Sequence, residues 1–354
     1  MKGQLTARRV QAFGLGAVAA SLLVVAAGSA VLLWAARSAQ PAAAAQAARV
    51  DTGVVDVYTS LGYQNAAAAG TGIVLSGSGE VVTNNHVIRG ATSIRVRDVT
   101  TGRSYRANVV GYSVSGDVAL LRLVGAAGLR TAAIGNSAAV RIGDRVTAVG
   151  NAGGAGGSPS VTSGRVTALR QSLTVGDGRG GAQRLTGLIA TNAPLQPGES
   201  GGPLLNSAGR VIGIDTAASS DFMFGTGSSE GFATPINRAL AIVKQVKTGR
   251  SSSSVHVGPT AFLGVDVTEP GFDGGTSSAG AFVRGVVPGS PADKAGLAAG
   301  DVIVSLGGRS ISSPTALTNA VLRFSPGTQV QLRWIDTLGN TQSALVRPVA
   351  GPPQ

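Results

Sequence analysis

Residues 198–204 read Gly-Glu-Ser-Gly-Gly-Pro-Leu, which is the strongest local motif of the sequence. A serine between glycines is typical of a nucleophile, because glycines let the backbone turn sharply and approach a substrate closely. The backbone N–H groups of Gly198 and Ser200 are then the expected donors to an oxyanion. A Gly-Ser-Gly-Gly turn taken alone is equally compatible with a tight structural loop, so the rest of the chain must decide.

A serine nucleophile needs a base and an orienting carboxylate, and the chain offers both. His86 is one of two histidines and follows the apolar run at residues 81–82. Asp117 opens another apolar run, which can hold a carboxylate rigidly against an imidazole. Each has an ordinary structural interpretation by itself. The chain order His86, Asp117, Ser200 is that of chymotrypsin-type triads rather than of subtilisin or α/β-hydrolases.

Short apolar runs separated by Gly, Asn, Asp and Ser fill most of residues 54–214. This spacing is typical of antiparallel barrels or a sandwich, so the fold class is mainly β. Thr234 and Pro235 precede a run with helical spacing, with Thr234 as the expected cap. Ser313 and Pro314 introduce a second helix, with Ser313 as its cap.

Seven segments together resemble one protein family. The segments are 70–74 (GTGIV), 83–87 (TNNHV), 116–121 (GDVALL), 198–203 (GESGGP), 231–236 (GFATPI), 258–264 (GPTAFLG) and 288–297 (PGSPADKAGL). The first five resemble the HtrA (DegP-like) serine proteases, and the last two resemble the PDZ pattern of the PepA-type members. The resemblance implies a chymotrypsin-like double β-barrel of two six-stranded barrels, with the active site between them, followed by a PDZ domain.

The expected organisation is a protease domain, a linker, a PDZ domain and a tail, at residues 51–249, 250–258, 259–350 and 351–354. By resemblance, the protease is an endopeptidase that hydrolyses exported or misfolded proteins through an acyl-enzyme. No metal or organic cofactor is expected. Protein or peptide substrates are the expected partners, with peptide C-termini at the PDZ domain. Members of this family often form trimers, so a homotrimer is an expectation that no residue set in this sequence demonstrates.

The resemblance also implies a role for each site residue. The expected catalytic residues are His86, Asp117 and Ser200, with Gly198 and Ser200 forming the oxyanion hole. The primary pocket is expected to involve Leu195, Ile214 and Thr216. Leu195 suggests small or medium apolar P1 side chains, since no acid stands at that position. The PDZ carboxylate-binding loop is expected at Phe262, Leu263, Gly264 and Val265, followed by a strand that accepts a peptide.

The nucleophile motif departs from the family at one position. Glu199 stands where HtrA proteins usually have asparagine. A carboxylate there could pair with a cation and order the oxyanion loop, or it could face solvent. The sequence leaves both interpretations open.

The N-terminus predicts export. Basic residues Lys2, Arg8 and Arg9 precede an uncharged run at residues 10–36, which is longer than a signal-peptide core of roughly 7–15 residues and sufficient to cross a bilayer at about 20. We favour an uncleaved transmembrane anchor with residues 1–9 in the cytoplasm. The linker 37–50 would then lead to extracytoplasmic domains on a single-pass membrane protein. The alternative is a cleaved signal segment and a secreted protein.

Composition excludes several other classes. The chain has no cysteine, which excludes disulfides and thiolate catalysis, and two histidines make a His-rich metal site implausible. The formal net charge of +12 is spread over single arginines with few aromatics, so no nucleic-acid partner is expected. His256 is expected to be a solvated linker residue. The rival functions are a non-catalytic envelope chaperone or scaffold and, on charge alone, a basic adhesin.

Overall fold

The computed structural model describes residues 52–176, 182–216, 230–269 and 279–354. These residues belong to one compact unit that begins at residue 50. The N-terminal segment predicted as an anchor or signal, residues 10–36, lies outside the described residues. Within the described ranges, no helix is both long enough and apolar enough to cross a bilayer.

The first barrel contains six antiparallel strands. They are β1 (Val54–Leu61), β2 (Ala66–Ser76), β3 (Glu80–Thr83), β4 (Ser93–Asp98), β5 (Ser104–Ser113) and β6 (Val118–Leu123). Their order is β5-β4-β1-β2-β3-β6, and the additional β5–β6 pairing closes the sheet. Alternate residues of β4 are buried and exposed, as expected for a strand with one face towards a core.

The second barrel also closes on six strands, as the resemblance implies. They are β7 (Arg145–Gly150), β8 (Ser160–Gly176), β9 (Ala182–Thr191), β10 (Pro203–Asn206), β11 (Val211–Thr216) and β12 (Gly231–Pro235), in the order β10-β11-β12-β9-β8-β7. Its interior is an apolar cluster that includes Ala148, Ile189, Leu204 and Ala233.

A shared apolar cluster joins the two barrels to a helix. Ile73 of the first barrel and Ile214 of the second lie in this cluster with the buried face of α2 (Ile236–Lys247). A much shorter helix, α1 (Asn85–Ile88), follows β3. The expectation that Thr234 caps α2 was wrong. Pro235 occupies the cap position without a side-chain hydrogen bond, because β12 continues to Pro235 and includes Thr234.

The C-terminal part contains a further sheet with its own core. The elements of this part of the chain are β13 (His256–Val257), β14 (Thr260–Phe262), β15 (Val265–Thr268), β16 (Ala281–Val286), α3 (Pro291–Lys294), β17 (Val302–Leu306), β18 (Arg309–Ser310), α4 (Pro314–Val321), β19 (Val330–Ile335), β20 (Thr341–Val346) and β21 (Val349–Gly351), and β14 pairs with β21 outside that sheet. The sheet order is β15-β16-β17-β19-β20, and β18 pairs with β17. Ser313 caps α4 by accepting a hydrogen bond from the N–H of Ala316, as predicted.

The chain end packs on the first barrel. β13 pairs with β5, and the hydroxyl of Tyr112 lies 3.0 Å from Thr260 Oγ1. Asn85 Nδ2 donates to the backbone oxygen of Gln354 at 2.9 Å, which places residues predicted as a tail beside α1. The expectation that His256 is solvated was wrong: it is buried against Tyr112, and burial lowers its pKa.

Candidate active site

His86 and Asp117 are joined by two hydrogen bonds at one rim of the first barrel. The backbone N–H of His86 donates to Asp117 Oδ1 at 3.0 Å, and His86 Nδ1 lies 2.8 Å from Asp117 Oδ2. Asn84 Nδ2 donates to the backbone oxygen of Asp117 at 2.8 Å. The carboxylate therefore fixes both the backbone and the ring of His86, which leaves Nε2 as the nitrogen available to act as a base.

Asp117 is held in an ionised form by this arrangement. Burial raises the pKa of Asp117, but the charge of His86 and the hydrogen bonds from it outweigh burial and hold that pKa below its ordinary value. The residue adopts a left-handed backbone conformation with φ of 50°, which is uncommon outside glycine. Such strain is tolerated where the surrounding contacts over-determine it, as they do here.

Thr71 on β2 connects the nucleophile loop to both barrels. Its N–H donates to the carbonyl of Ser200 at 2.8 Å, and its hydroxyl donates to the carbonyl of Gly198 at 2.7 Å. The same hydroxyl accepts from the N–H of Asn151 at 2.9 Å. The threonine lies in the GTGIV motif, but its role was missed because nothing in the sequence indicates a contact with residues so far along the chain.

Two glycines of the loop occupy positions that admit no side chain. Gly198 and Gly201 have φ of 93° and 89°. A Cβ on Gly198 would lie 2.1 Å from the carbonyl oxygen of Asn151, and one on Gly201 would lie 2.0 Å from that of Thr71. The glycines of the motif are thus required by left-handed backbone and close packing at the same time.

The residues expected to line the primary pocket do not share one environment. Leu195 is half-buried, and a Cβ on Gly231 would meet its side chain, so these two residues are close. Ile214 packs into the cluster shared by the two barrels. Thr216 is buried two residues further along β11, on the same face of the strand. Asp215 lies between them in the strand that was expected to line the pocket, and its side chain faces the opposite side.

Glu199 is fully buried and held by hydrogen bonds. Ser160 Oγ lies 2.5 Å from its Oε1, and the N–H of Gln196 donates to Oε2 at 2.8 Å. The N–H of Glu199 donates to the carbonyl of Gln196. The interpretation of a solvent-facing Glu199 is therefore wrong, and its hydrogen bonds order residues 196–199. No ion pair between described residues includes it.

The expected carboxylate-binding loop of the C-terminal part lies between β14 and β15. Phe262 ends β14 and stacks on Tyr63 of the first barrel, with ring centroids 4.9 Å apart. Leu263 is buried. Gly264 has a φ of 84°, and a Cβ there would lie 2.2 Å from Ser290 Cβ, so both the backbone conformation and the packing require glycine. Val265 begins β15, the edge strand of its sheet. An edge strand can accept a further strand from a peptide.

No group of three or more His, Asp or Glu side chains in the described part of the chain could hold a metal ion.

Two closed barrels with this hydrogen-bonded His86 and Asp117 and the glycine-flanked Ser200 define the class of trypsin-like peptidases. Residues 70–214 match the trypsin-like peptidase domain family, and residues 282–335 match the PDZ domain family. The chain belongs to the trypsin-like peptidases with a C-terminal PDZ domain, of the HtrA (DegP-like) type.

Relatives with curated names support this assignment. The chain is 36% identical to a probable periplasmic serine endoprotease DegP-like of Hahella chejuensis, over 78% of this chain and 56% of that protein. It is 37% identical to the periplasmic pH-dependent serine endoprotease DegQ of Escherichia coli, over 74% and 55%. The chain thus spans about half the length of these relatives. The solved structure of the HtrA-type protease AlgW with a decapeptide aligns with a TM-score of 0.48 and 28% identity, covering 87% of this chain and 98% of that one.

Proposed function

We propose that this chain is a serine endopeptidase that cleaves protein substrates outside the cytoplasm, with His86, Asp117 and Ser200 as its catalytic residues. The observation that carries the proposal is the doubly hydrogen-bonded pair of His86 and Asp117. Such a pair presents a basic imidazole, and the periplasmic serine endoproteases among the relatives support both the reaction and the location.

The reaction proceeds through an acyl-enzyme. Neutral His86 removes the proton from Ser200 Oγ as that oxygen bonds to the scissile carbonyl carbon. The N–H groups of Gly198 and Ser200 stabilise the oxyanion of the tetrahedral intermediate. Protonated His86 then gives its proton to the leaving amine as the peptide C–N bond breaks, and water hydrolyses the ester by the same steps in reverse.

The primary pocket is proposed to accept small or medium apolar P1 side chains. Support comes from Leu195, whose aliphatic side chain is half-buried and lies close to Gly231. Profiling with a peptide library varied at P1 measures this preference directly. A preference for Arg or Lys would contradict it.

Covalent labelling tests the proposed nucleophile. A fluorophosphonate probe is expected to label residues 48–354 at neutral pH with one adduct per chain, because His86 activates Ser200. Intact-mass analysis and peptide mapping locate the adduct. The Ser200→Ala variant should fold and remain unlabelled, while Ser207→Ala, which removes the hydroxyl of an exposed serine, should still be labelled. Labelling of the Ser200→Ala variant, or none of the wild type, would contradict the proposal.

The PDZ domain is proposed to bind peptide C-termini for recruitment or regulation. Support comes from Gly264, which has a left-handed backbone conformation within the loop, and from the position of β15 at the edge of its sheet. A fluorescent peptide with a free C-terminal carboxylate is expected to bind at least about tenfold more tightly than the same peptide amidated, because the loop N–H groups lose their anionic acceptor. Fluorescence anisotropy on the Ser200→Ala variant measures both without cleavage, and equal affinities would reject the role.

We also propose that residues 10–36 attach the chain to a membrane and that the protein forms a homotrimer. Export of the catalytic part agrees with relatives named as periplasmic proteases. Fractionation of cells that express the whole chain, followed by N-terminal sequencing, separates an uncleaved anchor from a removed signal segment.

A further inference from the structure

Two buried carboxyl groups belong to the nucleophile loop and to the strand that is hydrogen-bonded to it. Glu199 immediately precedes Ser200, and Asp215 lies in β11; both residues have 0% of their surface exposed. The backbone of Asp215 is joined to the loop on both sides: its carbonyl accepts from the N–H of Gly201, and its N–H donates to the carbonyl of Gly202, each at 2.8 Å. Asp215 is therefore attached to the two residues that follow the nucleophile.

The side chains of the two acids differ in their partners. Both oxygens of Glu199 have hydrogen-bond partners: Oε2 accepts from the N–H of Gln196, and Oε1 lies 2.5 Å from Ser160 Oγ, which is also 2.7 Å from the carbonyl oxygen of Gly150. Neither carboxyl oxygen of Asp215 has a hydrogen-bond partner. Across the strand pair Asp215 faces Ala233, a member of the apolar cluster inside the second barrel, so its side chain lies on that apolar face. An ionised carboxylate in such a place would be strongly disfavoured.

Among the described residues, the elements packed against Asp215 supply no compensating cation. The paired strands β10 and β12 carry no titratable side chain, and the nucleophile loop contributes Glu199. On α2, which packs on β11, Arg238 donates to the backbone of β9, Lys244 is exposed and Lys247 forms an ion pair in the first barrel. Burial first, and then the charge of Glu199, raises the pKa of Asp215 well above its ordinary value.

We infer that the buried, unpartnered carboxyl group of Asp215 carries a proton in the folded chain, and that neutral Asp215 is a positioning residue for the nucleophile loop. Ionisation of Asp215 places a charge without a hydrogen-bond partner on an apolar, fully buried face. Because Asp215 is bonded through its backbone to Gly201 and Gly202, movement of the charged group towards water displaces the loop that carries Ser200. This inference rests on the proposed function for its catalytic consequence, but its proton balance is independent of activity.

Protonation of Asp215 makes the stability of the folded chain depend on pH. The folded chain keeps a proton on Asp215 that the unfolded chain loses near its ordinary pKa, so the folded state binds more protons between the two pKa values. The contribution of Asp215 to stability is therefore fully present at a pH below its pKa in the unfolded chain. That contribution is lost as pH rises towards the pKa of Asp215 in the folded chain. Asparagine has nearly the same shape and never ionises, so it removes this loss.

The test compares Asp215→Asn with Glu80→Gln, a matched neutralisation of another buried acid. Hydrogen bonding from Lys247 is the main reason why the pKa of Glu80 is lowered. At pH 8 we expect the Tm of Asp215→Asn to rise by at least about 2 °C and that of Glu80→Gln to fall. The rate of fluorophosphonate labelling should decline on the alkaline side in the wild type and stay level in Asp215→Asn.

Three outcomes would overturn the inference. One is a lower Tm of Asp215→Asn at pH 8, and another is an alkaline decline unchanged by the substitution. The third is cleavage after Arg or Lys that Asp215→Asn abolishes, since an ionised Asp215 would then bind a substrate cation. If Asp215→Asn does not fold, the infrared spectrum of the wild type at pH 7 tests the protonation of Asp215 instead. The absence of a protonated-carboxyl band would refute a protonated Asp215. Failure of labelling in every variant would refute the proposed function, while the Tm comparison would still test the proton.

Discussion

Asp117→Asn is expected to lower kcat/KM for a peptide substrate by about 10⁴-fold while the protein stays folded. In the wild type, one carboxyl oxygen accepts from the backbone of His86 and the other from its ring. An amide has a single oxygen, so its NH₂ group must face one of these two donors. The imidazole then turns to the wrong tautomer or loses its orientation, and its Nε2 no longer serves as a base.

Steady-state kinetics and calorimetry together measure this effect. Asp98→Asn is the matched control, because Asp98 accepts hydrogen bonds only within its own turn, from Thr100 and Thr101. We expect the control to retain activity within about twofold, since it lies in a turn away from His86. A loss of less than tenfold in Asp117→Asn, with the fold intact, would mean that this carboxylate does not orient the base.

Asp117 and Asp215 are both buried, but their environments shift their pKa values in opposite directions. His86 holds the pKa of Asp117 low in spite of burial, whereas burial and Glu199 raise that of Asp215. When the pKa values of two acids in an enzyme are shifted in opposite directions, one acid commonly acts in its ionised form and the other in its neutral form. In our proposals, ionised Asp117 stabilises the positive charge that develops on His86, and neutral Asp215 preserves the loop that presents Ser200.

Local motifs predicted the class of fold, and they singled out His86 and Asp117, which the structure brings together. The segments that resemble the HtrA family implied the double barrel, and the chain order of His86, Asp117 and Ser200 agreed with it, because the chemistry restricts residue types at those positions. The cap at Ser313 was also predictable, since capping depends on residues within one turn.

Contacts between distant parts of the chain could not be predicted. Thr71 donates a hydrogen bond to Gly198 of the nucleophile loop, which lies 127 positions later in the sequence. Ser160 contacts Glu199, which lies 39 positions later. The sequence motif around Asp215 is an ordinary strand, and only the closed barrel buries its carboxyl group without a partner. His256 was misjudged for the same reason, because the strand β13 that buries it is only two residues long.

Gly201→Ala is expected to abolish fluorophosphonate labelling and to lower the free energy of unfolding by about 3 kcal/mol or more. The added Cβ would lie 2.0 Å from the carbonyl oxygen of Thr71 and 2.3 Å from Thr83 Oγ1. Thr83 donates its hydroxyl to that same carbonyl at 2.6 Å, so neither group can move aside without breaking the bond. The backbone must shift instead, and Ser200 shifts with it.

Gly209→Ala separates this clash from backbone strain. Gly209 has a φ of 69°, and a Cβ there would meet no atom within 4 Å. We expect this control to cost about 1–2 kcal/mol, the price of a left-handed conformation, and to keep full labelling. Chemical denaturation with the labelling rate measured in parallel distinguishes the two. Equal destabilisation of both variants, or retained labelling in Gly201→Ala, would mean that the contact between Gly201 and Thr71 does not position the nucleophile.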